Sequence, residues 1–375
     1  MPIPSPIARL KSDDRVRAVL VPYVLSRVIV LLSLSLTRRA LRAATTGPLP
    51  FQTRRGLLGW DASWYRDIAH GGYANVAKVG LRFFPLFPMI GRVVSWLPGV
   101  DSGLAVVLVA NVSALVVGFL VYDLARRERG DAALARRAVW IVYLAPSAFV
   151  LVMGYAEATF MIASLVSLLA LRQRHWWVAA VAGVVAGLTR PLGALLVVPA
   201  LVEAFQTRRN TTRKDYAAIV AAIAGPVVGI GSYLLWARHL SGDFMYPFDV
   251  QQVSTSRGGW IDPFRAVWRA ARATSGDHLS AGIHVLTAAA LVVLIVVLAR
   301  RWPASFTAYA IAAAVIGLSA RNLDSLERYS LSTVPFALAA AELAGGETRE
   351  RVVLVGLAAA LVACSVLAFS GVLVP

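Results

Sequence analysis

The densest chemistry in this chain lies in one short stretch, Gly59-Trp60-Asp61-Ala62-Ser63-Trp64-Tyr65-Arg66-Asp67-Ile68-Ala69-His70-Gly71-Gly72-Tyr73. Trp60, Trp64 and Ile68 recur at i, i+4 and i+8, so the spacing predicts a short helix with one apolar stripe. Gly71 and Gly72 stop it, and its tryptophans belong at a membrane–water boundary. Asp61 stands at the N-terminal end. Two readings stand for its carboxylate: a helix N-cap accepting the Trp64 amide, or a general base at a membrane surface. Asp61 and Asp67 fall on different helix faces, so they do not form the two-carboxylate device of glycoside hydrolysis. Asp67 reads as a solvated surface residue.

The elements that must position these groups are membrane helices. Of 375 residues, 58% are hydrophobic and only 15% charged, and the mean hydropathy is +0.68. A soluble domain is nearer half apolar and a quarter charged. Apolar runs fall near 18–36, 104–125, 138–153, 157–172, 176–189, 191–205, 216–236, 282–299, 303–319, 329–345 and 351–370. The expectation is an all-α polytopic membrane protein of about eleven spans at roughly 20 residues each, forming one membrane domain over residues 1–375. The first run reads as a signal anchor that stays. Thr189-Arg190-Pro191 should break 176–205 into two helices, because proline lacks a donor and disfavours helix before it. The segment 83–97 carries two prolines and reads as a re-entrant or interfacial hairpin. Gly225, Gly229 and Gly231 read as packing glycines.

The charge of +17 does not point to nucleic acid. The basic residues cluster between apolar runs, as the positive-inside rule requires. Arg9, Lys11, Arg15 and Arg17 place the N-terminus in the cytoplasm, with Arg126–Arg129, Arg136 and Arg137, Arg208–Lys214, Arg300 and Arg301, and Arg349 and Arg351 on the same side. Segments near 37–103, 237–281 and 320–328 then face outward from a plasma membrane. Only Lys11, Lys78 and Lys214 are lysines, a bias that fits a GC-rich genome of actinobacterial type. Cys364 is the one cysteine, so an intrachain disulfide is excluded. No histidine pair or carboxylate cluster argues for a metal.

The run WDASWYRDIAHGGY, followed by Arg82-Phe83-Phe84-Pro85-Leu86-Phe87-Pro88, resembles the signature of PIG-V-type mannosyltransferases. That family is named for the GPI mannosyltransferase II of eukaryotes and belongs to the GT-C class of integral-membrane glycosyltransferases. The resemblance is close over residues 58–90. Tyr155-Ala156-Glu157, Thr189-Arg190-Pro191, and Arg328-Tyr329 before Pro335-Phe336 are similar more loosely. It implies a GT-C-type fold with outward-facing juxtamembrane helices. It also implies transfer of mannose, with inversion, from a polyprenyl-phosphate donor to a hydroxyl of an outward-facing lipid-linked or protein acceptor. In that class the catalytic carboxylate lies in the first outward loop, which is where Asp61 stands. No resident cofactor follows from the resemblance, and a divalent metal stays open.

The chemistry of such a transfer agrees. A sugar phosphate leaves as a stable anion, so one base suffices, and the departing charge needs fixed cations. Arg328, Tyr329, Arg190, His70, Arg321 and Arg66 are the candidates for donor phosphate and sugar. Glu157, Tyr155, Trp60, Trp64 and Tyr65 are candidates for orienting acceptor or substrate. Structural alternatives stand beside these. Arg328-Tyr329 could be an interfacial anchor, Glu157 a favourable charge at a helix N-terminus, and His70 a solvated histidine. Arg27, inside the first run, needs an interior partner. Residues 263–273 read as an amphipathic interfacial helix. Two alternatives remain: transfer of another polyprenyl-phosphate sugar, including a pentose, or a non-catalytic flippase. The flippase should gather its polar groups at the bilayer midplane.

Overall fold

A computed structural model describes residues 14–210, 212–253, 257–274 and 279–375. Arg9 and Lys11 lie outside the described residues. In chain order the helices are α1 (Asp14–Ala44), α2 (Phe51–Arg55), α3 (Asp61–Gly71), α4 (Leu86–Val94), α5 (Ser102–Arg129) and α6 (Ala132–Leu144). They continue with α7 (Glu157–Arg172), α8 (Trp176–Thr189), α9 (Val197–Thr207), α10 (Arg213–Ser241), α11 (Tyr246–Asp249) and α12 (Pro263–Ala273). The last are α13 (Leu279–Arg301), α14 (Ala304–Leu318), α15 (Leu326–Ser332), α16 (Pro335–Leu343) and α17 (Glu347–Ser370). Among the described residues no strand forms; Trp260 and Ala320 make an isolated antiparallel bridge.

Among the described residues five helices, α1, α5, α10, α13 and α17, are long and apolar enough to cross a membrane. Their outer faces carry exposed Leu32, Leu36, Val220, Val292 and Val355. A helix apolar on every side belongs in a hydrocarbon layer or a large core. Shorter helices fill the bundle. Three apolar runs are divided where the backbone must break. The 138–153 run stops at Leu144, because Pro146 biases Ala145 towards extended backbone; a 3-10 turn at Ala148–Leu151 follows. The 176–205 stretch splits at Arg190-Pro191 as expected, with a 3-10 turn over Pro191–Leu196 before α9. The 329–345 run is two pieces, α15 and α16, because Pro335 cannot donate a helical bond. Within 83–97, α4 has nine residues, about 13 Å at 1.5 Å per residue, well short of a span.

Ion pairs sort the helix ends. Arg15 of α1 meets Asp123 of α5 at 2.6 Å, and Arg129 meets Glu342 at 3.0 Å. Arg137 lies 3.6 Å from Glu350 at the start of α17, and Arg172 bridges Glu128 and Glu203 at 2.9 and 3.1 Å. The arginine clusters thus share one end of the molecule. At the other end, Thr53 and Trp60 donate to the Phe369 and Ala368 carbonyls of α17, and the Tyr233 hydroxyl of α10 donates to the Leu81 carbonyl. Arg27 does find interior partners: Asn111, the Leu151 carbonyl and the Tyr23 ring.

The crossing of α8 and α10 fixes where Arg190 emerges. Gly183 and Gly187 on α8 face Pro226 on α10, while Gly225 and Gly229 face the Ala180 and Val184 carbonyls. Both helices therefore present a glycine every fourth residue, and the backbones touch. Gly231 faces open space instead. Gly225→Ala drives a methyl into the Ala180 carbonyl and is expected to destabilise the protein by about 1–3 kcal/mol. Gly231→Ala is expected to be neutral or slightly stabilising. Thermal unfolding in detergent checks this; identical melting of both variants would mean that the crossing is looser.

Candidate active site

Asp61 is held by an unusual turn. The Gln52 side chain accepts the Trp60 amide at 2.8 Å, and the Trp60 indole donates to Ala368 at 2.9 Å. Trp60 thereby adopts φ 53°, ψ −131°, a conformation that non-glycine residues avoid. Helix α3 starts immediately after it and ends at Gly72, whose φ of 73° needs glycine. Trp60, not Asp61, occupies the N-cap position. The Asp61 carboxylate turns to arginine: Oδ2 lies 2.6 Å from Arg328 and Oδ1 3.8 Å from Arg82.

Arg328 comes from α15. Its helix starts at Ser325, again in the left-handed region at φ 74°, and the Ser325 hydroxyl accepts Arg328 Nη2 at 3.1 Å. Arg328 Nε lies 3.2 Å from Glu157 Oε1, and the same carboxylate pairs with Arg190. Glu157 is the first residue of α7, and Arg190 sits in the break before Pro191. One chain of charge results: Arg82, Asp61, Arg328, Glu157, Arg190. Three guanidinium groups share two carboxylates. Glu157 is 1% exposed and Arg328 9%, whereas Asp61 keeps 23% of its side chain open. Burial acts to raise the Asp61 carboxyl, but Arg328 and Arg82 outweigh it and hold the group below its ordinary 3.8, so it is ionised at neutral pH.

Asp61 faces a cavity of about 620 Å³. Trp60, Trp64, Tyr65, Arg190, Arg328 and Tyr329 line it with Asp61. Burial pushes the Tyr65 phenol up, so Tyr65 can donate a hydrogen bond there but is no base. Trp64 stacks on Phe83 with ring centres 5.7 Å apart, and Phe83 and Phe84 form part of the wall. Tyr155 stands behind the wall: its hydroxyl accepts the Asp61 amide at 3.2 Å, and its ring faces Arg328 at 5.4 Å. Glu157 also stands behind, clamping Arg190 and Arg328. Arg66 pairs with its neighbour Asp67 at 2.6 Å, His70 is exposed at the end of α3, and Arg321 is exposed with its amide on the Gly259 carbonyl.

Four further residues belong to this wall: Arg82, Arg257, Gln251 and Asp324. Arg257 covers the Tyr329 ring at 4.8 Å while Arg190 covers it at 5.4 Å. Arg82 sits in the aromatic run already singled out, and its charge was the signal there. Arg257 carries no such sign, since it reaches the cavity only because Gly259 and Trp260 pair with the 320–321 segment. Among the described residues no group of three or more histidine, cysteine or acidic side chains could hold a metal ion.

No family model matches the chain, and no curated protein sequence does. The fold does have a solved counterpart, the crystal structure of ArnT from Cupriavidus metallidurans bound to undecaprenyl phosphate. The TM-score is 0.54 at 18% identity, over 80% of this chain and 58% of that one. The chain thus spans under two thirds of that protein's length. The two share an all-helical fold, and among the described residues of this chain several helices are long and apolar enough to cross a membrane.

Glu157 is the pivot of the ion chain. Glu157→Gln leaves Arg190 and Arg328 buried without their shared counterion, and is expected to cost about 3–5 kcal/mol. Glu157→Gln/Arg190→Gln is expected to recover most of that loss in thermal unfolding. A single variant as stable as the wild type would show that the clamp carries no load.

Proposed function

We propose that this chain is a polyprenyl-phosphate-dependent glycosyltransferase that moves a mannosyl residue, with inversion, to a hydroxyl of an outward-facing lipid-linked or protein acceptor. The observation that carries the reading is Asp61. It is an ionised carboxylate on the wall of a cavity rich in arginine, at one end of a bundle with a lipid-facing exterior. A same-fold protein that holds undecaprenyl phosphate supports the carrier class. The PIG-V-like run around Asp61 supports mannose. The arginine clusters at the opposite end support a plasma-membrane placement with a cytoplasmic N-terminus and an outward site.

In this reading Asp61 takes the proton of the acceptor hydroxyl as its oxygen attacks the anomeric carbon from the face opposite the phosphate. The C–O bond to phosphate breaks, and the polyprenyl phosphate leaves with the electron pair. Arg328, Arg190, Arg82 and Arg257 offset its charge. A carboxylate gripped by arginine is a weak base, and the donor relieves this. Its phosphate gives Arg328 and Arg82 a second anion, which loosens their hold on Asp61 and raises its basicity when substrate is present. The two carboxylates on the cavity wall are already paired, Asp61 with arginine and Asp324 with His284 at 3.5 Å. A neutral sugar therefore suits the site better than a cationic amino sugar.

The experiment is transfer from radiolabelled polyprenyl-phosphate mannose in nanodiscs, with extracted lipids and proteins as acceptors. Asp61→Asn is expected to lower kcat by about 10²–10⁴-fold while donor binding persists. Label that never leaves the carrier, with mannose or any other sugar tried, would sink the reading. Arg328→Gln removes the strongest of the arginine influences that hold Asp61 down. It is expected to move the acid limb of the kcat/KM profile to higher pH, because less acid then suffices to protonate the base. An acid limb that stays in place would separate Asp61 from the titration.

A further inference from the structure

Helix α12 lies at the cavity end of the molecule, between the 257–260 segment that reaches the cavity wall and the start of α13. It is built for stability. The Asp262 carboxylate accepts the Arg265 amide at 3.1 Å as N-cap, and Pro263 opens the first turn. Ala266, 1% exposed, seats it against α13 and α14. At 100° per residue the rest divides into two further stripes. Phe264 and Trp268 form one and are 85% and 60% exposed. Arg265, Arg269 and Arg272 form the other, all exposed, and the Arg272 guanidinium lies over the Trp268 ring at 4.8 Å.

Both stripes point away from the face that Ala266 seats on the bundle. Large aromatic rings left this open are unfavourable in water, and the positive-inside rule keeps arginine out of outward segments. Yet residues 257–274 hold four arginines against one aspartate, which is used as a cap. A layer that is apolar below and anionic above resolves both objections. The outer ends of α13 and α14 place α12 at that level of a bilayer.

We propose that α12 is a docking helix for anionic phospholipids. Arg265, Arg269 and Arg272 take headgroup phosphates, and Phe264 and Trp268 enter the upper acyl region, beside the cavity mouth marked by Trp260. The surface would enrich negatively charged lipid at the entrance to the site. This proposal does not rest on the transfer reaction.

The test places the full chain in nanodiscs of phosphatidylcholine and phosphatidylglycerol at one fixed ratio, with bromine on the acyl chains of one lipid or the other. The signal of Trp268 among the ten tryptophans is the difference between wild type and Trp268→Phe. Brominated phosphatidylglycerol is expected to quench it as if enriched about fivefold over its bulk share, the factor that one arginine–headgroup contact supplies. Arg265→Gln/Arg269→Gln/Arg272→Gln is expected to abolish the preference, and the corresponding triple lysine variant to keep it. Equal quenching of the wild type by both lipids would overturn the anionic preference. No quenching by either would overturn the docking itself, and both outcomes are read on the wild-type fold.

Discussion

The ion pair between Asp61 and Arg328 is the constraint around which this molecule is arranged. The two residues are 267 positions apart, on helices that reach the same point only if several others are correctly placed. Helix α2 and the end of α17 must fix the turn at Trp60. Helix α7 must start at Glu157 so that its carboxylate backs Arg328, and α8 must stop at Arg190 so that a second guanidinium shares it. Burying such charges is costly unless each finds its partner with good geometry. An incorrectly assembled bundle would leave at least one of them unpaired, so the network penalises wrong arrangements more than it stabilises the right one.

Strain gathers at the same place. Among the described residues only Trp60, Arg174 and Ser325 combine a side chain with a left-handed φ. Two of them stand beside the two members of the central pair. Such conformations persist only where the surroundings over-determine them. Here Gln52 and Ala368 fix Trp60, and the Pro375 carbonyl accepts the Ser325 hydroxyl at 2.6 Å. The strained turns aim the carboxylate and the guanidinium into one cavity, which neither an ideal helix start nor a regular loop would do.

Much of this was legible in the sequence. The apolar runs gave the helices, the prolines at 191 and in 83–97 gave their breaks, and Gly225 and Gly229 of α10 gave a close crossing, while Gly231 takes no part in it. The WDASWYRD run singled out Asp61, because residue types that belong to a membrane surface surround its carboxylate. Tyr155, Glu157, Arg190 and Arg328 were separate candidates in the sequence, and the structure brings them together. Their roles were less legible. An arginine before a proline looks the same whether or not it clamps a glutamate, and only the structure shows Arg190 doing so while it also lines the cavity. Arg66 and His70 share a helix with Asp61, yet α3 turns them away from the cavity. Arg257 could not be read at all, because its approach depends on an isolated bridge between segments sixty residues apart in sequence.

The breaks that shorten the helices are also what make the site possible. A continuous helix in a membrane satisfies its own backbone and offers a partner only its side chains. Around the cavity the chain instead leaves helical geometry at 145–156, 190–196 and 319–325. Each interruption delivers a polar group that a continuous span would have turned towards lipid or a neighbouring helix: Tyr155 and Glu157, Arg190, and Arg328. The interrupted backbone must then be satisfied by protein. It is, by Arg27 and Asn111 on the Leu151 and Val152 carbonyls and by Arg257 on Ile316. The polar interior of the bundle thus has one purpose across its depth. Arg27 stabilises an irregular segment whose other end presents Tyr155 and Glu157 to the Asp61–Arg328 pair.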